Sequence, residues 1–268
     1  MYIANKKMEH TCKNCEIPLT AGYKFCPNCS QNAHLHRLSL HEVFHEAIHY
    51  FTHADKGIFQ LLRDLTIKTG GVAREYVDGK RKKYYPPLSF FLLVVTVYVL
   101  AINLDGSPQT ETIKEQPELS HIKDPVKKQK MVEMFRRRDE AVIFIQKHSN
   151  IVSMLILPLS TFFFWLFYRK GRYNYTEHMI AGMYMSGFTT LLFVLAIVLN
   201  LIFKLPVNYV YTLYFVMQIM YFANFYYRFM DHRTTGKAVK AFFASFISVL
   251  CLFMASGIIV FLYMMKIF

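Results

Sequence analysis

The sequence predicts an all-α polytopic membrane protein with about five transmembrane helices and a small cysteine-rich domain at its N-terminus. Three observations predict this class: a mean hydropathy of +0.22, five long apolar segments, and two closely spaced pairs of cysteines. Of the 268 residues, 54% are hydrophobic and 18% are charged, which is more apolar surface than one soluble core of this size can bury. The composition therefore excludes an ordinary soluble domain, and its many aromatic residues exclude a disordered chain.

Two Cys-x-x-Cys motifs near the N-terminus predict a metal site. Cys12 and Cys15 form the first motif, and Cys26 and Cys29 form the second, with ten residues between them. Each motif can fold into a knuckle that presents two thiolates, and two knuckles supply the four ligands of a closed tetrahedral zinc site. Disulfides and a redox dithiol are weaker alternatives, because a cytoplasmic domain is kept reduced. We therefore predict a zinc ribbon at residues 1–33, stabilised by a structural zinc ion.

Residues 34–86 are predicted to form amphipathic helices that connect the ribbon to the first span. After the turn at 55–57, the apolar spacing of Ile58, Leu61 and Leu65 marks a helix that stops at the glycine pair 70–71. Two positions are open for this helix: it lies on the membrane surface, or it packs the ribbon onto the spans.

A histidine-rich segment in this connection offers a competing interpretation. His41-Glu42-x-x-His45 matches the pattern of zinc peptidases, and His49 and His53 continue it along the helix. Ser39 and Glu42 also fit a capping box, which explains Glu42 without catalysis. Most of these histidines fall on the face opposite the apolar stripe. A zinc peptidase is therefore the less favoured alternative, and a second metal site on this helix stays open.

Five apolar segments, in which Arg228 near the end of the fourth is the one charged residue, are long enough to cross a bilayer, which needs about 20 residues or as few as ~17. Continuous apolar runs indicate helices, because backbone groups in lipid must pair within the segment. Residues 105–150 are predicted to be an extramembrane loop and helix, and 87–268 form the membrane domain. The predicted spans are 87–104, 151–168, 179–203, 209–229 and 241–265.

The distribution of Lys and Arg predicts the orientation. Residues 1–10 lack the apolar region of a cleaved secretion signal, so we expect the N-terminus to stay in the cytoplasm. Five spans then place three basic clusters, 80–83, 169–172 and 228–240, on the cytoplasmic side. The segment 105–150 holds nine basic residues on the opposite side and is the exception to this pattern.

Several stretches resemble a known family. Ser30-Gln31 follows the last ribbon cysteine, residues 51–57 are Phe-Thr-His-Ala-Asp-Lys-Gly, residues 75–81 are Glu-Tyr-Val-Asp-Gly-Lys-Arg, and Tyr-Pro-Pro at 85–87 enters the first span. This arrangement resembles an uncharacterised bacterial inner-membrane family, a domain of unknown function with a four-cysteine zinc ribbon and a polytopic helical membrane part. That family usually has Gly where this chain has Ser30. The resemblance implies a multi-pass protein of the bacterial inner (cytoplasmic) membrane and implies no activity.

The favoured function is a non-enzymatic membrane scaffold or regulator whose ribbon binds a cytoplasmic protein partner. A transporter of a neutral or lipid-like substrate is the alternative, since the spans offer only isolated polar groups such as Asn200, Gln218 and Asn224. An enzyme acting on lipid would have to use interfacial pairs such as Glu177 and His178. Nucleic acid is not an expected partner, because acidic residues dilute the charge of the N-terminal domain. The sequence does not determine the oligomeric state.

Overall fold

The structure, a computed structural model, describes residues 8–20, 22–44, 57–105, 124–231 and 234–265. In the described part, an antiparallel pair of strands, β1 (Met8–Thr11) and β2 (Pro18–Thr20), precedes the helices. A helical turn at 40–44 and a 3-10 turn at Arg81–Lys83 belong to the connection. The helices are α1 (Gly57–Ile67), α2 (Gly71–Val77), α3 (Pro87–Asp105), α4 (Pro125–Lys147), α5 (Ser149–Tyr168), α6 (Tyr175–Phe203), α7 (Val207–Phe229) and α8 (Thr235–Met264).

Within the described residues, four helical segments are long and apolar enough to cross a membrane. This finding confirms the prediction of a mostly helical protein with candidate membrane spans. The segments are Arg81–Ile102, Ile151–Tyr168, Tyr175–Phe203 and Thr235–Met254.

The predicted count of five spans is not confirmed. The remaining predicted span, 209–229, lies on α7 and is not among the four. Helix α7 carries six tyrosines together with Asn208, Gln218, Asn224 and Arg228, and these polar groups lower its mean hydropathy.

The connecting helices share one apolar core with the long helices. Helix α3 packs along α6, α7 packs along α8, and α2 contacts both α6 and α7. Leu61 of α1 and Tyr76 of α2 are fully buried in the same cluster as Phe90 and Tyr184 of the long helices. The rings of Tyr76 and Tyr184 meet edge to face, with 5.7 Å between their centroids. Helix α1 therefore packs against α2 and the long helices.

A buried polar network fixes α1 and α2 to the start of the first span. The Tyr84 hydroxyl lies 3.0 Å from Asp64 Oδ2 and 2.9 Å from Glu75 Oε2, so it can donate to either carboxylate. Lys68 pairs with Asp64 at 2.9 Å and Lys83 pairs with Glu75 at 2.6 Å. Burial raises the pKa of Asp64 and of Glu75, but hydrogen bonds from the lysines and Tyr84 outweigh it and leave each pKa below its ordinary value. Both carboxylates therefore remain charged and paired at neutral pH.

The turn between α1 and α2 touches the backbone of α7. A Cβ atom at Gly70 would lie 1.9 Å from the Phe225 carbonyl oxygen and 2.7 Å from the Phe229 backbone nitrogen. A Cβ at the neighbouring Gly71 would meet only the Lys68 Cβ, at 3.6 Å. Only glycine at position 70 therefore lets the connecting helices approach α7 so closely.

We expect Gly70→Ala to destabilise the protein by about 1–3 kcal/mol, because the methyl group forces two backbones apart. Gly71→Ala is the matched control and should be neutral or stabilising by up to ~1 kcal/mol. The measurement is the midpoint of thermal unfolding of both variants and of wild type in the same detergent. Equal midpoints for the two variants would contradict this packing of the connecting helices.

Candidate metal centre and its attachment to the helices

The four cysteines of the N-terminal domain converge on one point. Their Sγ atoms all lie within 4.8 Å of one another, and all four are free thiols. Cys12 Sγ lies 3.6 Å from Cys29 Sγ, and Cys15 Sγ lies 3.5 Å from Cys26 Sγ. Metal–sulfur bonds of about 2.3 Å in a tetrahedron place the sulfurs roughly 3.8 Å apart. The observed spacing therefore fits one metal ion held by four thiolates.

Both cysteine pairs fold into the same local structure. The backbone N–H of Glu16 donates to the Cys12 carbonyl at 2.9 Å, and that of Ser30 donates to the Cys26 carbonyl at 2.9 Å. Glu16 and Ser30 both adopt left-handed backbone conformations, with φ of 64° and 57°. This conformation favours glycine, so the structure gives a physical reason for the expectation of Gly at position 30.

Hydrogen bonds and burial shift the pKa values of two of the thiols in opposite directions. The backbone N–H of Ile17 is the main cause that lowers the pKa of Cys15 to about 6, with help from the Asn28 side chain. Burial raises the pKa of Cys29 to about 12, although the Asn14 side chain opposes the shift. Four adjacent thiolates repel one another, and a bound cation would offset that repulsion. A tetrahedral set of four sulfurs is typical of zinc or iron.

The cysteine domain is attached to residues 79–82 of the connection. The backbone N–H of Lys82 donates to the side-chain carbonyl of the buried Gln31 at 3.2 Å. Gly79 has φ of +121°, and a Cβ there would lie 2.8 Å from Leu35 Cδ1. A left-handed glycine therefore allows the two segments to touch.

A second attachment joins the segment after the domain to the start of α6. The Arg37 guanidinium contacts both carboxylate oxygens of Glu177, at 2.8 Å from Nε and 3.0 Å from Nη2. Glu177 is 5% exposed and also accepts the backbone N–H of Asn174 at 2.7 Å, which completes the capping box of α6. Arg172, before α6, pairs with Asp78 at the end of α2. The attachment therefore combines a bidentate ion pair with a helix cap.

The described part of the His-Glu-x-x-His pattern supports the capping interpretation. Glu42 Oε2 accepts hydrogen bonds from the Ser39 backbone N–H at 2.9 Å and from its hydroxyl at 3.0 Å. Glu42 Oε1 pairs with His36 at 2.9 Å. The predicted capping box is thus confirmed, and the Glu42 carboxylate is already engaged. His41 is exposed, whereas the predicted ligands His45, His49 and His53 lie outside the described residues. Among the described residues, the cysteines form the one cluster of three or more possible metal ligands.

The proposed interfacial pair of Glu177 and His178 is divided between two environments. Glu177 belongs to the attachment described above, whereas His178 is fully buried among aromatic rings. Its Nδ1 lies 3.4 Å from the Tyr226 hydroxyl, and its ring stacks on that of Tyr226. Sequence reasoning missed Arg37 because no local motif connects it to Glu177. The Asn174 and Glu177 spacing of a capping box was the one feature that could have indicated the role of Glu177.

Comparison with known proteins gives one partial match. Residues 55–99 match a family model described as a protein of unknown function (DUF3667). The match includes α1, α2 and the first part of α3, with the Asp64 and Glu75 network, and it excludes the four ribbon cysteines. No curated protein and no solved structure matches the chain. The match supports part of the resemblance found in the sequence and carries no activity.

We expect the purified full-length protein to contain one metal ion per chain and the double variant Cys12→Ser/Cys15→Ser to contain none. Removing two of four thiolates leaves a site that cannot hold the ion tightly. Elemental analysis of detergent-purified protein is the measurement, and it also identifies the metal. Cys251→Ser, on α8, is the matched control and should retain the ion.

A double variant that keeps its metal would contradict the four-cysteine centre. If His45→Ala then removed the metal, the histidine segment would be the binding site.

Proposed function

We propose that the chain is a non-enzymatic scaffold or regulator of the bacterial inner membrane, which presents a structural zinc ribbon to a cytoplasmic protein partner. The observation that carries the proposal is a closed four-thiolate centre attached firmly to the membrane helices. All four positions of a tetrahedral ion would be taken by cysteines, which leaves none open for a substrate. Zinc is the proposed metal because it needs no redox partner and stabilises small domains of this kind.

The attachments support a docking function. The ribbon is held directly by the hydrogen bond between Gln31 and Lys82, and the segment that follows it is held by the pair of Arg37 and Glu177. Binding to an ordered surface avoids the loss of conformational entropy that ordering a flexible one would cost. A ribbon on a flexible linker would lack this advantage.

The second half of the ribbon offers a surface for the partner. Tyr23 is 41% exposed and Phe25 is 60% exposed, and the exposed Lys24 lies between them. Aromatic residues are enriched at the centres of protein interfaces, where they provide most of the binding energy. The contacts to residues 79–82 use other ribbon residues, such as Gln31. We therefore place the docking surface at residues 23–25.

A photo-crosslinking residue at position 24 should capture one defined cytoplasmic protein in cells, while the same residue at the exposed Pro18 should not. Phe25→Ala should reduce the crosslink at least roughly 10-fold, because it removes an aromatic anchor. Its metal content should equal that of wild type, which separates loss of the surface from loss of the fold. A crosslink that survives both Phe25→Ala and Cys12→Ser/Cys15→Ser would overturn the docking proposal.

We further infer that α7 is a fifth span and that the ribbon lies in the cytoplasm. At the ribbon side, the ring of Tyr226 on α7 stacks on Tyr168 at the end of α5, with 5.6 Å between centroids. At its other end, α7 shares a cavity with the last turns of α6, where Tyr209 faces Leu199 and Phe203. Its 23 residues extend about 34 Å, more than the ~30 Å of hydrocarbon. The basic residues at 80–83 and 169–172 support a cytoplasmic location for the ribbon side.

Reporter fusions test this topology. With five spans, α8 ends outside the cytoplasm. Alkaline phosphatase fused after α8 should then be active, and green fluorescent protein fused at the same point should not fluoresce. Fusions after Lys170 and after Lys204 are internal references for the two sides, with fluorescence expected at the first alone. Fluorescence after both Lys170 and α8 would mean that α7 does not cross the membrane.

One cavity favours the alternative function, a transporter of a neutral or lipid-like substrate. It has a volume of about 230 Å³, lies between α6 and α7, and is lined by apolar side chains such as Leu192 and Met217 together with Asn200. The cavity lies near the end of the bundle remote from the ribbon. The cavity is therefore better suited to holding a bound apolar group than to letting a substrate pass through the protein.

A further inference from the structure

A basic pocket lies where α5 ends and α8 begins, and the proposed docking function does not use it. Its volume is about 350 Å³, within the range of roughly 300–1,000 Å³ typical of ligand pockets. Two cations come from the turn after α5, Arg169 and Lys170, and two come from the first turns of α8, Lys237 and Lys240. The apolar side chains of Leu166 and Phe167 line the same pocket.

The four cations have no acidic partner among the described residues. No carboxylate lines the pocket, and none of the four makes an ion pair in the described part of the chain. The neighbouring acid, Asp231, pairs with Arg74 of α2 instead. Converging cations without counterions create a positive potential that attracts an anion.

Basic residues elsewhere in the chain include several that are paired with carboxylates. On α4, Arg136 pairs with Glu133 at 2.7 Å and also contacts Glu140, so its charge is balanced on its own helix. The positive-inside rule explains why residues near the span ends are basic. It does not explain why four of them line one pocket that contains no carboxylate. The pocket differs from a solvated basic surface because four cations from two separate elements line one cavity that contains no carboxylate.

The walls of the pocket are held in place by packing. Lys240 Nζ lies 4.7 Å from the ring centroid of Tyr168, whose side chain is buried. A Cβ at Gly171 would lie 2.8 Å from Met230 Cε, so the turn after α5 is closely packed on the end of α7. The end of α5 and the start of α8 are thus in contact where the cations lie.

The position of the pocket points to a lipid. One candidate span ends at Tyr168 and another begins at Thr235, so the cations lie at the boundary between the hydrocarbon and the headgroups. Leu166, two residues before Tyr168 on α5, is 46% exposed, so its apolar side chain is accessible to an acyl chain. A soluble anion would gain nothing from Leu166, whereas a phospholipid would place its phosphate on the cations and its acyl chain on the apolar side chains.

We propose that this pocket binds the headgroup of an anionic phospholipid from the leaflet on the ribbon side of the membrane. The phosphate contacts Arg169, Lys170, Lys237 and Lys240, and the first part of an acyl chain lies on Leu166. The bound lipid would bridge the α5–α6 turn and the start of α8, and it would reduce the repulsion among the four cations.

The test compares lipid binding to the full-length protein by native mass spectrometry. The probes are phosphatidylglycerol and phosphatidylcholine with identical acyl chains. Wild type should retain phosphatidylglycerol in preference to phosphatidylcholine. In Lys237→Gln/Lys240→Gln the affinity for phosphatidylglycerol should fall roughly 10- to 30-fold, because each lysine that is removed takes away a favourable electrostatic contribution to the free energy of lipid binding.

Lys127→Gln/Lys128→Gln is the matched control, because it removes the same charge from two exposed lysines of α4. Its affinity should stay within about twofold of wild type. Arg169→Gln/Lys170→Gln changes the opposite wall of the pocket and should reproduce the loss, because both walls bind the phosphate. Equal binding of the two lipids, or equal losses in the control and pocket variants, would overturn the proposal.

Inorganic phosphate is the third probe and distinguishes a lipid from a soluble anion. Under the proposal, millimolar phosphate does not displace the bound phosphatidylglycerol and does not raise the unfolding temperature in a manner that depends on Lys237 and Lys240. Stabilisation by phosphate alone that requires these lysines, with no further gain from phosphatidylglycerol, would assign the pocket to a soluble phosphate and overturn the lipid assignment.

Discussion

The ion pair between Arg37 and Glu177 determines how the soluble and membrane parts of this protein fit together. A carboxylate that is 5% exposed is unfavourable unless charged partners and hydrogen bonds replace its water. Glu177 obtains both, because Arg37 contacts its two oxygens and the Asn174 backbone N–H donates to one of them. The Glu177 side chain therefore both caps α6 and binds the segment that follows the ribbon.

The two apolar cores nevertheless have separate sources of stability. The ribbon core consists of Cys12, Leu19 and Cys26 with a few half-buried neighbours, which is too small to fold without a cross-link or a metal. The larger core extends from Leu38 and Leu61 into the long helices and contains no cysteine of the ribbon. Loss of metal would thus unfold the ribbon and remove its contact with Lys82 but leave the core of the long helices intact. Metal binding is in this way coupled to presentation of the ribbon rather than to insertion.

Local patterns in the sequence predicted local structure. The spacing of the cysteines predicted their convergence, and the Ser39 and Glu42 spacing predicted the capping box, because each depends on residues that are neighbours in the chain. The pair of Arg37 and Glu177 joins residues 140 positions apart, and the contact of Gly70 with α7 depends on the packing of distant helices. Neither leaves a periodic or motif-like pattern. Composition alone does not decide whether α7 crosses the membrane, because its tyrosines are compatible both with a helix inside the bilayer and with a helix at its surface.

Two groups among the basic residues on the ribbon side have different surroundings. Those that attach the ribbon and α2, such as Arg37, Arg74 and Arg172, are each paired with a carboxylate of another element. Pairing fixes their geometry and leaves little charge for an external ligand. The four cations between α5 and α8 have no such partner in the described residues and lie at the end of the hydrocarbon. A count of positive charges predicts orientation from both groups together, but only the unpaired group retains enough field to select among lipids. The same basic composition therefore includes cations that hold the connecting segments in place and cations that remain available to an anionic ligand.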